Sequence, residues 1–254
     1  MAGTTCHYGE GRVALVTGAA RRVGRVIAAA LHKHGFNVVI HCNASKELAL
    51  QFASELNSTR KDSAHVITGD LSKDVVATSQ RMVMEAVEKW GRLDLLVNSA
   101  GDFFNTNLDG ASEQDWDKLM NINAKAPYFL IQAAAPHLRK VQGSVVNVAD
   151  ILGERPSGPL NIYCVTKAAL IMITKSLAIE LGPEVRINAV NPGAAMWPET
   201  ADDNFKKEWL ARTPVGRPGT GDEVADAVLF LASPSASYVS GSGLNVCGGR
   251  SVPL

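Results

Sequence analysis

Short apolar runs alternate along the chain with longer stretches whose apolar residues recur at helical spacing. The short runs are rich in Val, Ile and Leu, which is typical of parallel strands buried on both faces. The longer stretches have the period of amphipathic helices. Strands are predicted at 12–17, 37–42, 65–69, 93–97, 144–148, 185–190 and 243–246, and helices at about 26–31, 45–59, 75–90, 112–139, 163–182 and 223–231.

Seven strands alternating with helices predict an α/β fold, a doubly wound Rossmann-type domain with a parallel sheet and helices on both faces. We expect a single domain over residues 1–254, a usual size for this architecture. One polar, irregular segment at about 194–221 interrupts the alternation. It follows the end of a strand, where a substrate loop would lie, and a surface excursion without function is the open alternative.

Composition and charge narrow the range of partners. Lys and Arg number 25 and Asp and Glu number 25, so the net charge of zero argues against nucleic acid or an acidic membrane as partner. No apolar run approaches the roughly twenty residues of a membrane helix, and residues 1–10 lack the features of a signal peptide. The six histidines form no metal motif, and Cys6, Cys42, Cys164 and Cys247 lack Cys-x-x-Cys spacing. We therefore expect a cytoplasmic protein with reduced thiols and no metal.

A glycine-containing loop, Thr17–Gly24, joins the first predicted strand to the first helix. In this position backbone N–H groups and a helix N-terminus can hold a pyrophosphate. Gly18 permits a tight turn, and Gly24 lets helix and strand approach closely. An ordinary βα turn is the alternative, but the place at the first βα junction favours a dinucleotide site.

The end of the second predicted strand indicates which dinucleotide is bound. NAD enzymes usually have an acidic residue there to bind the ribose 2′-hydroxyl. This chain has no carboxylate between its second strand and Glu47, and Arg21 and Arg22 lie in the glycine loop. A neutral or basic pocket suits a 2′-phosphate, so NADPH is favoured over NADH; a solvated surface position is the alternative for Arg21.

Candidate acid–base chemistry lies at Tyr163-x-x-x-Lys167, preceded by Asp150 at the end of the fifth strand. Helical spacing puts the phenol and the ammonium on one face. The lysine charge is expected to lower the tyrosine pKa and make it a usable proton donor. With four tyrosines the motif occurs by chance in roughly one sequence in four, so its weight comes from its position after a strand.

Taken together, the order and spacing of these motifs resemble the short-chain dehydrogenases/reductases over nearly the whole chain. The pieces that carry the resemblance are Thr17–Gly24, Asp70, the turn Asn98–Gly101, Asn123, Tyr163 with Lys167, and Pro192–Gly193.

At two positions the sequence differs from the general family pattern and is similar to that of the pteridine reductases. Arg22 replaces the middle glycine of the loop, and Asp150 replaces the usual catalytic serine. His41 with Ser45, Phe103, and the segment Pro192–Glu199 are also similar to that group. Gly101 and Ala44 depart from its pattern, which weakens one substrate contact and the grip on the 2′-phosphate.

The resemblance implies an NADPH-dependent reductase of pterins or folates, usually a homotetramer, whose C-terminal residues 248–254 can reach a neighbouring subunit's site. Tyr163 and Asp150 would deliver protons, Lys167 would bind the nicotinamide ribose, and Asn123 would hold a water leading to Lys167. The implied substrate contacts are Arg22, Phe103, Asp150, Tyr163 and Trp197. The implied cofactor contacts are Gly18, Arg21, Arg22, Val23, His41, Asn43, Ser45, Asp70, Leu71, Asn98, Ala100, Lys167, Pro192 and Gly193.

Two other functions stay open. A carbonyl or 3-oxoacyl reductase of the same fold is the first, although an ionised Asp150 would repel the oxyanion that ketone reduction develops. A simple loop cap is the alternative reading of Asp150. A catalytically silent NADP-binding sensor is the second, and the intact Tyr163, Lys167 and Asn123 argue against it.

Overall fold

The computed structural model describes residues 8–197 and 201–252. Cys6, Pro198, Glu199 and the final residues Pro253 and Leu254, which figured in the predictions above, lie outside this part. The strands are Val13–Val16 (β1), Asn37–Cys42 (β2), Ala64–Thr68 (β3), Leu95–Asn98 (β4), Ser144–Val148 (β5), Arg186–Pro192 (β6) and Gly243–Val246 (β7). They form one parallel sheet in the order β3-β2-β1-β4-β5-β6-β7, which confirms the predicted fold class.

Eight α-helices accompany the strands in the described residues. They are Arg22–Lys33 (α1), Lys46–Thr59 (α2), Val75–Trp90 (α3), Glu113–Met120 (α4), Ala126–Val141 (α5), Asn161–Leu181 (α6), Asp203–Ala211 (α7) and Gly221–Ala232 (α8).

The structure differs from the predicted elements at three places. The single helix expected at 112–139 is divided by a π-helical turn, Asn121–Lys125, and α1 begins at Arg22 rather than near residue 26. The segment expected to be irregular contains α7, which starts where Asp202 accepts a hydrogen bond from Phe205 N at 2.8 Å. None of the α7 residues is fully buried, and its apolar side chains, Phe205, Trp209 and Leu210, are exposed or half-buried, so the apolar pattern of this nine-residue helix is weak.

Alternating side chains of the strands face two separate apolar layers. Ala14 and Val16 pack with residues of α1, α2 and α8, whereas Val13 and Leu15 pack with residues of α3, α5 and α6. The central strands are therefore buried on both sides, as their continuous apolar sequence predicts.

A topological switch point lies at β1, which pairs in parallel with β2 on one side and with β4 on the other. The chain therefore leaves the centre of the sheet in opposite directions and opens a crevice beyond the strand ends, where α/β proteins bind ligands. The glycine loop follows β1 and the turn Asn98–Gly101 follows β4, so both edge this crevice.

The helical segment 158–181 is long and apolar enough to cross a membrane by length and composition, so the expectation that no segment approaches this limit is wrong. More than half of its apolar window, 56%, is buried inside the protein. Leu170 and Leu177 on α6 lie among the buried core residues, so the hydropathy of this helix reflects its packing against the sheet.

Candidate active site

A cavity of about 570 Å³ occupies the crevice at the switch point. It extends from the glycine loop, past the end of β2, to the start of α6. Most residues predicted for the site line it together, from distant parts of the sequence. They are Gly18, Arg21, Arg22, Val23, His41, Asn43, Ser45, Asp70, Leu71, Ala100, Phe103, Asp150, Tyr163, Lys167, Pro192 and Gly193. Asn98, Asn123 and Trp197 are not among the lining residues.

The glycine loop is packed tightly against the turn after β4. Gly18 has a φ of +65°, and a Cβ placed there would come 2.8 Å from Ala100 Cα, so any larger residue would force the loop away. The hydroxyl of Thr17 accepts hydrogen bonds from Ser99 N at 3.0 Å and Ala100 N at 2.9 Å. These contacts fix the N-terminus of α1, whose first turn holds no acidic residue, in an orientation suited to a pyrophosphate.

Arg22 occupies the place where the general family has a glycine, and its backbone keeps the glycine-like conformation, with a φ of +53°. Its guanidinium Nη2 donates to Met196 O at 3.1 Å and to Trp197 O at 3.0 Å. The side chain thus reaches across the cleft from the start of α1 to the loop after β6. A non-glycine residue in this region is uncommon, and Arg22 is the member of this small group in the described residues that lines the cleft.

His41 joins the glycine loop to the neighbouring strand end. Its Nδ1 accepts from Gly18 N at 3.2 Å, and its Nε2 lies 3.0 Å from Gly69 O, so the proton belongs on Nε2. Burial lowers its pKa to about 4, despite the opposing hydrogen bond to Gly69. At neutral pH the ring is therefore uncharged and holds the loop in place rather than adding positive charge for a 2′-phosphate.

The adenosine end of the cleft lies beside the start of α2. Ser45 occupies the N-cap position of this helix, yet its side chain makes no capping hydrogen bond. Asn43 is exposed and lines the cavity beside it, and Arg21 is exposed on the opposite loop. Asp70 faces the cavity with Oδ1 bound by Ser72 N at 2.9 Å and Ser72 Oγ at 2.6 Å, which holds the pKa of its carboxyl below the usual value.

Asp150 and Tyr163 form a hydrogen-bonded pair at the other end of the cleft. The Tyr163 hydroxyl donates to Asp150 Oδ2 at 2.8 Å, and Leu152 N donates to Oδ1 of the same carboxyl at 2.8 Å. Asp150 therefore caps the turn that follows it and also contacts the tyrosine. Burial raises the pKa of the Asp150 carboxyl, although Leu152, Lys167 and Tyr163 all act in the opposite direction.

The expectation that Lys167 lowers the pKa of Tyr163 is wrong for this arrangement. Burial and then the Asp150 carboxyl raise the pKa of the phenol well above its usual value. The lysine Nζ lies 5.6 Å from the tyrosine ring centre and donates to Val148 O at 3.0 Å rather than to the phenol. Tyr163 consequently keeps its proton at neutral pH and shares it with Asp150.

Lys167 is buried, and burial lowers its pKa to about 8 even though Asp150 raises it. It stays largely protonated at pH 7 and keeps donors for a ribose hydroxyl. Asn123 lies in the π-helical turn and accepts from Asp102 N at 2.9 Å while its amide donates to Asp102 O at 3.0 Å. Asn98 is fully buried and donates to Asn147 Oδ1 at 2.9 Å, so both asparagines brace the wall of the cleft from behind.

Phe103 and Trp197, two of the three aromatic residues predicted to contact substrate, differ in their surroundings. The Phe103 ring is 43% exposed and meets Tyr163 edge-on, with ring centres 4.8 Å apart, so one face is free for a flat ligand. The Trp197 ring packs against Phe205 at 6.1 Å. In this structure Trp197 reaches the site only through its carbonyl oxygen, which binds Arg22.

Sequence reasoning missed several residues that line the cleft, among them Ile122, Asp102 and Met196. Ile122 belongs to the same π-helical turn as Asn123, and an interrupted helix leaves no clear periodicity. Asp102 pairs with Lys118 at 2.7 Å and lies beside a turn that had been singled out. Met196 belongs to the segment after Pro192. For all three residues, the sequence signal that could have indicated a place in the cleft is their proximity to a recognised motif.

The cleft fits a nicotinamide dinucleotide. Gly18 leaves room for a backbone approach that a side chain would block, and the buried ammonium and phenol lie at the far end. Such a cofactor supplies a hydride. The residues of this chain supply the rest: Lys167 offers donors to a sugar, Tyr163 holds a transferable proton, and the Asp150 carboxyl accepts the hydrogen bond of that phenol. The described residues contain no group of three or more His, Cys, Asp or Glu side chains placed to hold a metal ion.

A dinucleotide crevice at the switch point and a Tyr-Lys pair beside it define a nicotinamide-dependent oxidoreductase. The chain belongs to the short-chain dehydrogenase/reductase family, since the family model described as Enoyl-(Acyl carrier protein) reductase matches residues 18–251.

Relatives of two different activities are about equally similar to this chain. Pteridine reductase 1 of Leishmania tarentolae is 34% identical over 278 aligned positions, covering 94% of this chain and 96% of the relative. The 3-oxoacyl-[acyl-carrier-protein] reductase FabG of Staphylococcus aureus strain Mu50 is 35% identical over 240 positions, covering 93% and 96%. The FabG of Thermotoga maritima is 35% identical over 249 positions, covering 94% and 98%. Overall identity does not separate the two activities, so the site itself must.

Proposed function

We propose that this chain is an NADPH-dependent pteridine reductase, which reduces dihydropterins, and also oxidised pterins or folates, to tetrahydro forms. It would act as a cytoplasmic homotetramer. The observation that carries the proposal is the 2.8 Å hydrogen bond between the Tyr163 hydroxyl and the Asp150 carboxyl, where the general family has a serine.

Asp150 suits a ring nitrogen better than a ketone. Reduction of a pterin adds a hydride to a ring carbon and a proton to the adjacent nitrogen, and a carboxyl can bind N–H groups or relay that proton. Reduction of a ketone develops an oxyanion, which hydrogen-bond donors stabilise. A negative Asp150 beside it would cost several kcal/mol at short range.

The remainder of the cleft suits a flat, polar-edged heterocycle. The exposed face of Phe103 offers a surface for stacking, and the Arg22 guanidinium has donors for ring-edge acceptors. A Cβ at Gly101 would come 3.2 Å from Asn123 Oδ1, closer than side chains usually pack, so this position suits glycine and supplies no side-chain contact to a substrate.

NADPH is the proposed cofactor because the residues from Asn43 to Lys46, which follow β2, include hydrogen-bond donors and no carboxylate. Ser45 and Asn43 line the cavity there, and Arg21 lines it from the glycine loop. His41 adds no charge, since its pKa of about 4 leaves it neutral. The preference for the 2′-phosphate rests on Arg21 and on the lack of a carboxylate between β2 and Glu47; Asp70, which Ser72 binds, is the acidic side chain that lines this end of the cleft.

A 3-oxoacyl reductase is the second candidate, favoured by the 35% identity to the FabG proteins. One assay separates the candidates: purified protein is mixed with NADPH and dihydrobiopterin, dihydrofolate or an acetoacetyl thioester, and NADPH absorbance is followed. Turnover of the pterins is expected. Turnover of the thioester alone would establish the second candidate, and cofactor binding without turnover of any substrate would establish a sensor.

A further inference from the structure

A second cavity, of about 450 Å³, adjoins the active-site cleft. Three arginines from separate segments line it: Arg155 from the loop before α6, Arg212 from the end of α7, and Arg250 from the turn after β7. The other lining residues are Ile151, Leu152, Pro156, Ser157, Gly158, Trp209 and Val252. No acidic side chain is among them.

The positive charge in this cavity has no counterion within the described residues. None of the three arginines forms an ion pair with a described carboxylate. Arg155 Nε donates to Ser251 O at 3.0 Å, and Arg250 Nη1 lies 3.4 Å from Arg212 O, so the contacts that hold two of the side chains are to backbone carbonyls.

Arg250 is positioned as a ligand-binding group. Its Cζ lies 4.6 Å from the ring centre of Trp209, and its Nε is buried without a hydrogen-bond partner among the described residues. Burial and the charge of Arg212 lower the pKa of its guanidinium. Arg155 and Arg212 are exposed and Arg250 is half-buried, and an anion between these adjacent like charges would relieve their repulsion and give the Arg250 Nε a partner.

The wall between this cavity and the active site is thin. Asp150 lines the cleft, whereas the next two residues, Ile151 and Leu152, line the second cavity. Leu152 and Tyr163 belong to one apolar cluster, and Trp209 packs against it. A group attached to a ring beside Tyr163 would have to extend past this cluster to reach the arginines.

We propose that the three-arginine cavity binds an anionic group carried by the substrate, at a distance from the ring that is reduced. Guanidinium groups bind carboxylates and phosphates in a bidentate geometry, so either anion satisfies the site. Under the proposed function the group is the dicarboxylate tail of a folate, and that part of the inference rests on the proposed function. A 3-oxoacyl substrate would instead present the phosphate of its carrier.

The test compares two substrate pairs, each with an acidic and a neutral member. Dihydrofolate is compared with dihydrobiopterin, and acetoacetyl-coenzyme A with the acetoacetyl thioester of N-acetylcysteamine. Arg212→Gln and Arg155→Gln are measured beside Arg139→Gln, an exposed arginine near the end of α5 that lines neither cavity. We expect each cavity variant to raise the KM of the acidic member about tenfold and to leave its neutral partner within twofold.

Because two substrate pairs are used, a failure of the anion site can be distinguished from a failure of the proposed function. Turnover of thioesters alone would contradict the pteridine reductase proposal, and the second pair would still test the cavity. Equal effects on acidic and neutral members, or no effect on either, would overturn the anion site. If neither pair turns over, calorimetry with glutarate at saturating NADPH decides: binding that Arg212→Gln weakens about tenfold supports the site, and no binding or unchanged binding overturns it.

Discussion

At the scale of single residues, Arg22 adds a charged side chain to the cleft at a position where the general family has a glycine. The backbone at this position keeps the positive φ of a glycine, while the side chain crosses the cleft to bind the carbonyls of Met196 and Trp197. The left-handed conformation costs about 1–2 kcal/mol in a residue with a Cβ. We infer that this cost is maintained because the guanidinium serves the substrate end of the site.

The variant Arg22→Gly tests this role, because we expect it to remove the side chain without destabilising the folded protein. Glycine is the residue that best tolerates a φ of +53°, so the free energy of unfolding should not fall. The lost guanidinium contacts should raise the KM for dihydropterin roughly tenfold. Steady-state kinetics and urea denaturation check both parts, and an unchanged KM would remove Arg22 from substrate binding.

Asn43→Asp tests the cofactor preference with a change of nearly equal shape. A carboxylate at the end of β2 should repel the 2′-phosphate and raise the KM for NADPH at least about tenfold, with a smaller effect on NADH. Asn107→Asp, an exposed position outside the cavity, serves as the control. Equal effects on both cofactors would mean that no 2′-phosphate lies beside Asn43.

At the scale of elements, the neutral His41 links the loop after β1 to the end of β3. Its pKa is about 4 in the folded protein and near 6.5 when unfolded. The unfolded state therefore binds more protons between these values, so the contribution of His41 to stability is complete above pH 6.5 and is lost as the pH falls towards 4. The difference corresponds to about 3 kcal/mol.

The acid sensitivity of this link can be measured with His41→Asn, which removes the titrating group. Between pH 7 and pH 4 the wild-type protein should lose about 3 kcal/mol more of its free energy of unfolding than the variant does. The variant should be less stable at pH 7, because it lacks part of the hydrogen bonding to Gly18 and Gly69, so the comparison uses the change with pH. Parallel pH profiles would contradict a neutral, buried His41.

The elements also show where sequence reasoning succeeds and where it does not. Continuous apolar runs such as Val13–Val16 identify central strands, because burial on both faces leaves no other composition. The helix α7 is short and none of its residues is fully buried, and the π-helical turn Asn121–Lys125 has no regular period, so neither was predicted. The residues of the cleft could be predicted from motif and resemblance, but the raised pKa of Tyr163 could not, since it depends on burial and on the distance to Asp150.

At the scale of the whole molecule, α6 presents both the active-site tyrosine and an apolar stripe. Val165, Met172 and Ile179 recur every seven residues and are 46%, 61% and 84% exposed. Tyr163 and Lys167 on the same helix are buried towards the cleft. An exposed apolar row of this kind is typical of a surface that another chain covers.

This stripe makes the proposed homotetramer testable. Glutamate at both Met172 and Ile179 should dissociate the assembly, because it places two charges in the apolar contact. Light scattering after size exclusion at micromolar concentration should give a tetramer for the wild type and a smaller species for the variant. A wild-type monomer, or a variant that remains tetrameric, would contradict an assembly through α6.

The central claim is that Asp150 suits the site to a ring nitrogen rather than to a ketone. The most direct test is the ratio of kcat/KM for the neutral acetoacetyl thioester to kcat/KM for dihydrobiopterin, measured in the wild type, Asp150→Ser and the near-isosteric Asp150→Asn. We expect a wild-type ratio below one and a rise of about a hundredfold in Asp150→Ser, as the repelling carboxyl is replaced by a neutral hydroxyl. A ratio that stays the same in both variants, or a wild type that already prefers the thioester, would contradict the account.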